Sequence, residues 1–375
     1  MKLFDVYPLY DIEPVKGLGS KLWDKEGTEY LDLYGGHAVI SIGHTHPHYV
    51  KRLTDQLNAL GFYSNAVQNS IQEELAKKMG QISGCEDYQL FLCSSGAEAN
   101  ENALKLASFH TGRSKIIAMK KAFHGRTSGA VAATDNPKIV APFNANHEVV
   151  FVPLNDIEAL KEAIDDQTAG VIIEGMQGVA GVYVPTNEYL KAAAALCKEH
   201  GALLIMDEVQ SGAGRSGKFF AFQHSGIQPD VIPVAKGIGN GFPVAMVLIA
   251  PHIQPWHGML GTTFGGNHLA CAASLAVLEV IEQEDLMSNA AQLGDWLIGE
   301  LKSIPQIKEV RGMGLMLGIS FDYPVADLRK NLLFKHKIFT GSAGDKNTMR
   351  LLPSLAVTRE ELQHFLTALK QELNK

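Results

Sequence analysis

The clearest feature of the hydrophobic pattern is a set of short apolar runs that end in polar residues. Residues 202–206 are apolar and lead into Asp207 and Glu208, and residues 231–235 lead into Lys236. An apolar run without alternation is typical of a strand buried on both faces in the middle of a parallel sheet. Because ligands collect at the carboxyl ends of such strands, we expect Asp207 and Lys236 to face one crevice.

The rest of the pattern alternates similar runs with segments of helical periodicity. Strands are predicted at 89–93, 115–119, 149–152 and 171–174, a hairpin at 20–32, and helices at 48–60, 98–110, 187–200, 268–284 and 288–304, with a last helix opening at the capping box 358–361. Strands alternating with helices predict a three-layer α/β domain with a mostly parallel sheet, followed by a smaller α+β domain. We place an N-terminal arm at 1–40, counted with the small domain, the large domain at 41–265 and the small C-terminal domain at 266–375.

Composition narrows the class of protein. The chain has 375 residues, is 46% hydrophobic and carries a formal net charge of −7, which indicates an ordinary globular protein with ample core. A mildly acidic chain offers no general footprint for nucleic acid or for an anionic membrane. Four scattered cysteines indicate neither a zinc site nor a disulfide framework. Without a signal peptide or an apolar run long enough to span a bilayer, we expect a cytoplasmic protein.

A lysine and a carboxylate in one crevice suit pyridoxal phosphate especially well. This cofactor needs a lysine amine for its Schiff base and an acid that keeps its ring nitrogen protonated. Asp207 and Lys236 lie about 30 residues apart, which is the length of one strand–helix–strand unit. The alternative is that Asp207 is a polar strand end and Lys236 a solvated surface charge.

Two further strand ends carry candidate cofactor contacts. Residues 94–97 form a small-residue turn between a strand and a helix, where free backbone amides make a phosphate cradle. The alternative there is an ordinary helix cap by serine. After the next strand, Phe123 is placed to stack on a pyridine ring and Arg126 to hold a carboxylate. The alternatives are a core phenylalanine and a surface arginine.

Two other motifs suggest a different chemistry. His44, His46 and His48 alternate as metal ligands on a strand do, and a metal-dependent hydrolase is the alternative from another class of function. Pro47 interrupts that alternation, so we expect a turn that opens a helix and no metal site. Residues 212–218 have the spacing of a phosphate-binding P-loop, but residue 219 is Phe where magnesium needs a hydroxyl ligand.

Taken together, these stretches resemble the class III, fold type I pyridoxal-phosphate aminotransferases over essentially the whole chain. The resemblance rests on six motifs in the family's order: Gly43-His44-x-His46-Pro47, Ser95-Gly96-Ala97-Glu98-Ala99-Asn100, Phe123-His124-Gly125-Arg126-Thr127, Asp207-Glu208-Val209-Gln210, Lys236-Gly237 and Thr262-Thr263-Phe264-Gly265-Gly266-Asn267. It implies the α/β fold of the type I pyridoxal-phosphate transferases, a three-layer large domain plus a smaller α+β domain. It also implies a homodimer as the minimal assembly.

The resemblance assigns roles around the cofactor ring. Lys236 is the implied Schiff-base lysine and the base that moves the proton between substrate and cofactor. Asp207 is implied to pair with the pyridinium nitrogen and Gln210 to reach the side of the ring hydroxyl. Phe123 and Val209 are implied to sandwich the ring.

Further roles concern the phosphate and the second subunit. Ser95, Gly96 and Ala97 are implied to hold the phosphate, helped by Thr263 from the partner subunit of a dimer. Glu208, inside the same motif as Asp207, belongs to the expected cofactor-binding set. No metal ligand is implied.

The substrate residues implied by the resemblance are Arg126 and Thr262, for an acylated ornithine, and Arg350, for a substrate carboxylate. The chain departs from the family at Val179, where related enzymes often have a glutamate after Gln-Gly. In related ornithine enzymes that glutamate pairs with the carboxylate-binding arginine and masks it while the amine substrate is bound. We therefore expect Arg350 to be left unmasked by this route.

The implied reaction is a ping-pong transamination between small molecules. The terminal amine of N2-acetyl-L-ornithine passes to 2-oxoglutarate, which gives N-acetyl-L-glutamate 5-semialdehyde and L-glutamate, a step of arginine biosynthesis. N2-succinylornithine, free ornithine and other ω-amines remain alternatives within the class. The motifs do not separate the acetyl from the succinyl group, because both suit an arginine-lined pocket.

Overall fold

The computed structural model describes residues 1–374, and Lys375, with which the predicted small domain ends, lies outside them. The strands are β1 Pro14–Leu18, β2 Lys21–Asp24, β3 Glu29–Asp32, β4 Gln89–Cys93, β5 Lys115–Met119, β6 Val149–Val152, β7 Thr168–Glu174, β8 Leu203–Asp207, β9 Val231–Val234, β10 Ala245–Ile249, β11 Glu309–Met313, β12 Met316–Ser320, β13 Ile338–Phe339, β14 Gly341–Ser342 and β15 Thr348–Leu351. The helices are α1 Gly35–Ala38, α2 Pro47–Ala59, α3 Ser70–Ser83, α4 Gly96–Thr111, α5 Ser128–Ala132, α6 Ile157–Ala163, α7 Gly178–Gly181, α8 Asn187–His200, α9 His268–Gln283, α10 Leu286–Lys302, α11 Ala326–Phe334 and α12 Arg359–Leu373. Short 3₁₀ turns occur at Pro137–Ile139, Pro142–Asn144, Ala221–His224 and Lys236–Ile238.

A seven-stranded sheet forms the centre of the molecule, in the order β4-β10-β9-β8-β7-β5-β6. β8 pairs in parallel with β7 and β9, and β5 pairs in parallel with β6 and β7. β10 runs antiparallel to its neighbours β9 and β4. The prediction of a mostly parallel sheet is confirmed. The sequence analysis did not predict β10, and the apolar pattern could not have given its direction, because a strand buried on both faces is apolar whichever way it runs.

The central strands are apolar because both faces of this sheet are covered. Every residue of β7, β8 and β9 is buried. Along β8, Leu204 and Met206 belong to one hydrophobic cluster, whereas Leu203 and Ile205 belong to another. Successive side chains of a strand point to opposite faces, so one strand contributes to two cores. Each such side chain contributes about 1.5–3 kcal/mol of burial free energy, and the only polar residue of the strand is at its carboxyl end.

Two four-stranded sheets lie outside the central one, in the orders β1-β2-β3-β13 and β11-β12-β15-β14. In the first, β13 pairs in parallel with β3, with Ile338 opposite Leu31. The N-terminal arm is thereby joined to a segment from the C-terminal part of the chain. The domain boundaries at residues 40 and 265 stay predictions.

Local sequence signals explain where several elements begin and end. The hairpin of β2 and β3 is confirmed, and the Asp24 carboxylate accepts hydrogen bonds from the amides of Glu26 and Thr28 in its turn. The capping box of α12 is also confirmed, with Thr358 and Glu361 each accepting the other's backbone amide. Among the helices of residues 1–374, none combines the length and apolar character needed to cross a bilayer.

Candidate active site

A cavity of about 400 Å³ opens at the carboxyl ends of β7, β8 and β9. Asp207 is the last residue of β8, and Lys236 follows β9 after one residue. Both line this cavity, which brings together the two residues that the apolar pattern singled out. The crevice is at the sheet edge where ligands of parallel α/β domains collect.

The Asp207 carboxylate is held by three donors. Asn100 Nδ2 and His124 Nδ1 each donate to Oδ2 at 2.7 Å, and the Val209 amide donates to Oδ1 at 2.9 Å. Asp207 and His124 are almost completely buried. With donors on both oxygens, the carboxylate is fixed in orientation at the cavity.

Lys236 sits in a strained backbone conformation at the floor of the cavity. Its φ of 49° is in the left-handed region, which costs a residue other than glycine about 1–3 kcal/mol. Burial lowers the pKa of its amine, and the Asp207 and Glu174 carboxylates act in the opposite direction. Burial therefore favours the neutral amine, which is the nucleophilic form of a lysine.

The amino end of α4 forms a second wall of the cavity. Ser95 caps the helix, because its Oγ accepts a hydrogen bond from the Glu98 amide at 3.2 Å. The serine cap that was the alternative at this turn is therefore present. The amides of Gly96 and Ala97 are in the first turn and have no intrahelical acceptor. A Cβ atom on Gly96 would lie 2.6 Å from Val209 Cγ1. Glycine therefore permits the close packing of this turn on Val209 and leaves its amides available to an anion.

Gln210 connects the cavity to the N-terminal arm. Its Nε2 donates to the His37 carbonyl at 3.1 Å, in the turn α1, whose residues all have positive φ. Its Oε1 would lie only 1.7 Å from a Cβ atom placed on Gly178. The absence of a side chain at Gly178 is therefore what lets Gln210 approach, and Phe123 and Val209 line the same cavity.

Arg350 is a buried cation beside the cavity. Its side chain is nearly inaccessible, its Nε donates to the Ser342 carbonyl at 2.5 Å, and its Nη1 is 3.5 Å from Gln210 Oε1. Burial lowers its pKa, and no carboxylate within residues 1–374 forms an ion pair with it. A guanidinium buried without a counter-ion favours the arrival of an anionic ligand. Val179, which lines the cavity, has no carboxylate to offer it.

Four predicted site residues lie at the rim of the cavity or outside it. Arg126 is exposed and lines the rim. Glu208 is fully buried behind the cavity, where it accepts hydrogen bonds from Ser211 and from the Phe222 amide. Thr262 and Thr263 lie on a partly exposed loop and do not line the cavity of their own chain.

Three residues of this site had no role in the sequence analysis. Asn100 and His124 lie inside motifs that carry the resemblance, but a motif does not show which of its side chains contact Asp207. Glu174 lines the cavity and is nearly inaccessible. Its signal was present in the sequence, since it is an acid at the end of an apolar run, as Asp207 is.

The two motifs for other chemistries do not form sites. The three histidines pair with three different carboxylates: His44 with Asp32, His46 with Glu284 and His48 with Glu279. Within residues 1–374, no group of three or more metal-ligating side chains comes together. The P-loop-like segment 212–218 is followed by Phe219 and a short 3₁₀ turn, and its Arg215 is buried against the carbonyls of Leu315 and Pro353.

Comparison with known proteins decides the family. The family model described as aminotransferase class-III matches residues 6–373. The chain belongs to the class III aminotransferases. The mostly parallel sheet flanked by helices is the α/β architecture of fold type I in that family.

Individual relatives cover almost the whole chain. The acetylornithine aminotransferase of Bacillus subtilis is 42% identical, over 99% of this chain and 97% of its own length. The crystal structure of the acetylornithine aminotransferase from Elizabethkingia anophelis superposes with a TM-score of 0.83 and 31% identity, covering 98% of this chain and 95% of that one. An ornithine aminotransferase from Toxoplasma gondii, whose structure reveals partial occupancy of PLP at its active site, has a TM-score of 0.90 and 30% identity, covering 99% and 94%.

Proposed function

We propose that this class III aminotransferase transfers the terminal amine of N2-acetyl-L-ornithine to 2-oxoglutarate with pyridoxal phosphate as cofactor. The products are N-acetyl-L-glutamate 5-semialdehyde and L-glutamate. The observation that carries the proposal is the single cavity shared by Lys236 and Asp207, with the unpaired Arg350 beside it. The substrate is the one for which the similar relatives are named. We further propose that the enzyme serves arginine biosynthesis in the cytoplasm.

The residues around the cavity fit pyridoxal phosphate. The first turn of α4, at Gly96 and Ala97, offers backbone amides to the phosphate, and Phe123 and Val209 offer apolar surface to a planar ring. Asp207 offers a fixed carboxylate to the ring nitrogen. When bound, the cofactor supplies a sink for the electrons released at the substrate carbon. The cavity of about 400 Å³ is within the usual range for small-molecule sites.

Lys236 and Asp207 carry the proton chemistry in this proposal. The Lys236 amine would bind the cofactor covalently and would move a proton at the substrate carbon as general base. Asp207 would hold a proton at the ring nitrogen of the bound cofactor. Asn100 and His124 hold that carboxylate in place through two bonds of 2.7 Å.

Two arginines are proposed to divide the recognition of the substrates. Arg126, exposed at the rim, binds the carboxylate of the acylated ornithine, and Thr262, which is outside the cavity of its own chain, contributes to the same contact across the proposed subunit interface. Arg350, buried beside Gln210, binds a carboxylate of 2-oxoglutarate. Because Val179 cannot form an ion pair, Arg350 is open to a carboxylate in both half-reactions.

We also propose that the enzyme is a homodimer in which Thr263 completes the phosphate site of the partner subunit. Thr263 is exposed and outside its own cavity. Its neighbour Phe264 is 63% exposed and contacts Phe62, which is 43% exposed, with ring centroids 5.5 Å apart. Exposed aromatic groups next to a polar functional loop are typical of a surface that a second subunit covers.

The visible absorption spectrum of the purified protein tests the proposal. We expect a yellow band, and we expect it to bleach when N2-acetylornithine is added without any keto acid. Addition of 2-oxoglutarate should then restore it. N2-succinylornithine, ornithine and 4-aminobutyrate are compared at equal concentration.

Each outcome of this experiment has a distinct meaning. A band that bleaches with ornithine and persists with N2-acetylornithine would replace the substrate and keep the cofactor. If N2-succinylornithine bleaches the band and has a higher kcat/KM than N2-acetylornithine, the proposed acyl group would change from acetyl to succinyl and the rest of the proposal would stand. No band after incubation with pyridoxal phosphate would refute the role of Lys236.

A further inference from the structure

Two carboxyl groups enter the cavity from neighbouring strands. Glu174 ends β7 and is directly opposite Asp207, the last residue of β8. Glu174 is 5% exposed, and both residues line the cavity. The proposed function uses Asp207 and gives Glu174 no task. A carboxyl buried in an active-site cavity has a large desolvation cost, so its contacts indicate what it does.

The partners of Glu174 differ in kind from those of Asp207. Glu174 Oε1 accepts the backbone amide of Phe123 at 3.0 Å, and Oε2 accepts the backbone amide of Gly178 at 3.2 Å. Within residues 1–374 these are its hydrogen-bond partners, and it forms no ion pair. Asp207, in contrast, accepts from the side chains of Asn100 and His124. Glu174 is therefore bound to two pieces of backbone and to no cation.

Those two pieces of backbone form parts of the cavity wall. Phe123 is the aromatic residue that follows β5, and Gly178 opens the turn α7, which carries Val179. Val179, which follows Gly178, is also held in place, because its carbonyl accepts a hydrogen bond from the Gly344 amide at 2.7 Å. Since Gly178 lies against Gln210, a displacement of α7 would also move Gln210. One carboxylate thus links the wall at Phe123 to the wall at Gly178.

The charge of Glu174 depends on its surroundings. Burial raises its pKa to about 7, and the Asp207 charge on β8 acts in the same direction, whereas His124, after β5, lowers it. Lys236, after β9, and Arg350, on β15, also face this charge. An ionised carboxylate accepts two amides more strongly than a neutral acid does. Both bonds are therefore strong above about pH 7 and weaken as the pH falls through that value.

We propose that Glu174 is a positioning residue of the active site, whose ionised carboxylate holds the Phe123 turn and the Gly178 turn together across the end of β7. This inference rests on the proposed function for its meaning in catalysis, because the aromatic face of Phe123 matters only if a ring is bound there. The contact itself requires no cofactor. Deprotonated Glu174 holds the two turns together, and protonation of Glu174 weakens both hydrogen bonds.

Hydrogen exchange of the full-length protein without added cofactor tests the contact directly. Peptides that contain the Phe123 and Gly178 amides are followed between pH 5.5 and pH 8.5, with rates normalised to the intrinsic exchange of unfolded peptides. We expect protection at these two amides to fall by about tenfold from the high to the low end of this range. Equal protection at both ends would overturn the proposal without any variant.

One variant and a matched control variant separate the charge of Glu174 from its volume. Glu174→Gln keeps the shape and at most one acceptor, and we expect its protection at the two amides to be low at every pH. Glu208→Gln removes another fully buried carboxyl, one residue after Asp207, whose partners Ser211 and Phe222 are outside the cavity. The control should keep the pH-dependent protection at Phe123 and Gly178. Burial raises the pKa of Glu208 to about 7 as well, so loss of that dependence in Glu208→Gln would assign the effect to titration of Glu208 and contradict the proposal.

A second readout concerns the cofactor-loaded enzyme. Removal of a negative charge near Lys236 should shift the pH midpoint of the yellow band downward by about one unit in Glu174→Gln. The two measurements test different claims, so one claim can be refuted while the other stands. If no yellow band forms, the proposed function is wrong, and the exchange experiment still decides on the contact. If the band forms and exchange is unaltered, the function stands and the role of Glu174 is wrong.

Discussion

The two parts of the candidate site are built in opposite ways. The crevice at the ends of β7, β8 and β9 is buried, and Asp207, Glu174 and Gln210 each have fixed hydrogen-bond partners. The loop at residues 261–266 is partly exposed, and the Thr262 hydroxyl accepts a hydrogen bond from its own loop, at the Gly265 amide. In our proposal, the buried groups at the end of the sheet carry the proton chemistry, and the exposed loop contributes to the site of the partner subunit.

The largest effect is expected at the centre of the crevice. Lys236→Ala removes the proposed covalent attachment and the proposed general base, so we expect transamination to fall by at least about 10⁴-fold and the yellow band to disappear. Lys218→Ala is the matched control, because Lys218 is exposed and belongs to the P-loop-like segment outside the cavity. Comparable loss in both variants would contradict a specific role for Lys236.

The second-largest effect is expected at Asp207, at the carboxyl end of β8, and its control lies at the opposite end of β8. Asp207→Asn should lower kcat by about 10³-fold, because the amide cannot hold a proton on the ring nitrogen by charge. Asp230 lies near the amino end of β8, where its carboxylate accepts a hydrogen bond from the Leu204 amide at 2.7 Å. Asp230→Asn should reduce thermal stability and leave kcat within about twofold. Activity in Asp207→Asn close to that of the unmodified enzyme would show that the ring charge is set elsewhere.

A smaller effect is expected in the loop, and its signature is complementation between subunits. Thr263→Ala should weaken the affinity for pyridoxal phosphate by about tenfold, through the loss of one hydrogen bond to a charged group. Mixed dimers of Thr263→Ala with Lys236→Ala contain one site with an intact Lys236 and an intact Thr263 from the partner. That site should recover the original cofactor affinity, measured by titrating the yellow band. Affinity that stays weak in the mixed dimers would assign Thr263 to its own subunit.

The smallest effect is expected where this chain departs from its family. Val179→Glu introduces a carboxylate on the cavity wall, near the unpaired Arg350, and we expect the ratio of the two half-reaction rates to change by about three- to tenfold. Val179→Gln controls for size without charge. Stopped-flow measurement of the amine and keto-acid half-reactions gives the ratio. An unchanged ratio in Val179→Glu would show that Arg350 is not governed by this position.

Much of the fold is predictable from local pattern. The apolar strands, their polar ends and the capping box of α12 follow from sequence because each depends on neighbouring residues in the chain. Helix limits were less accurate: the helix predicted at 98–110 extends from Gly96 to Thr111. The difference arises because Ser95 caps the helix earlier and Gly112, with a φ of 69°, ends it.

The candidate site was predictable in part. The polar ends of strands are visible in the sequence, whereas the hydrogen-bond partners of those polar residues are not. Asp207 and Lys236 are conspicuous as polar ends of apolar runs. His124 and Asn100 are contributed by the end of β5 and by α4, and only the strand order β8-β7-β5 and the packing of α4 bring them to Asp207. Glu208, in contrast, adjoins Asp207 in sequence, and its side chain points to Ser211 behind the cavity.

The sequence by itself determined the family, the mostly parallel sheet and the pair of residues around which the site is built. These depend on motifs and on short-range periodicity, which any single chain displays. The tertiary structure alone decided that β10 is antiparallel, that β13 joins the N-terminal arm, and that Glu174 spans two turns of the cavity wall. The physical reason is that buried polar groups must find partners wherever the fold brings donors and acceptors together, and those partners are far apart in the chain.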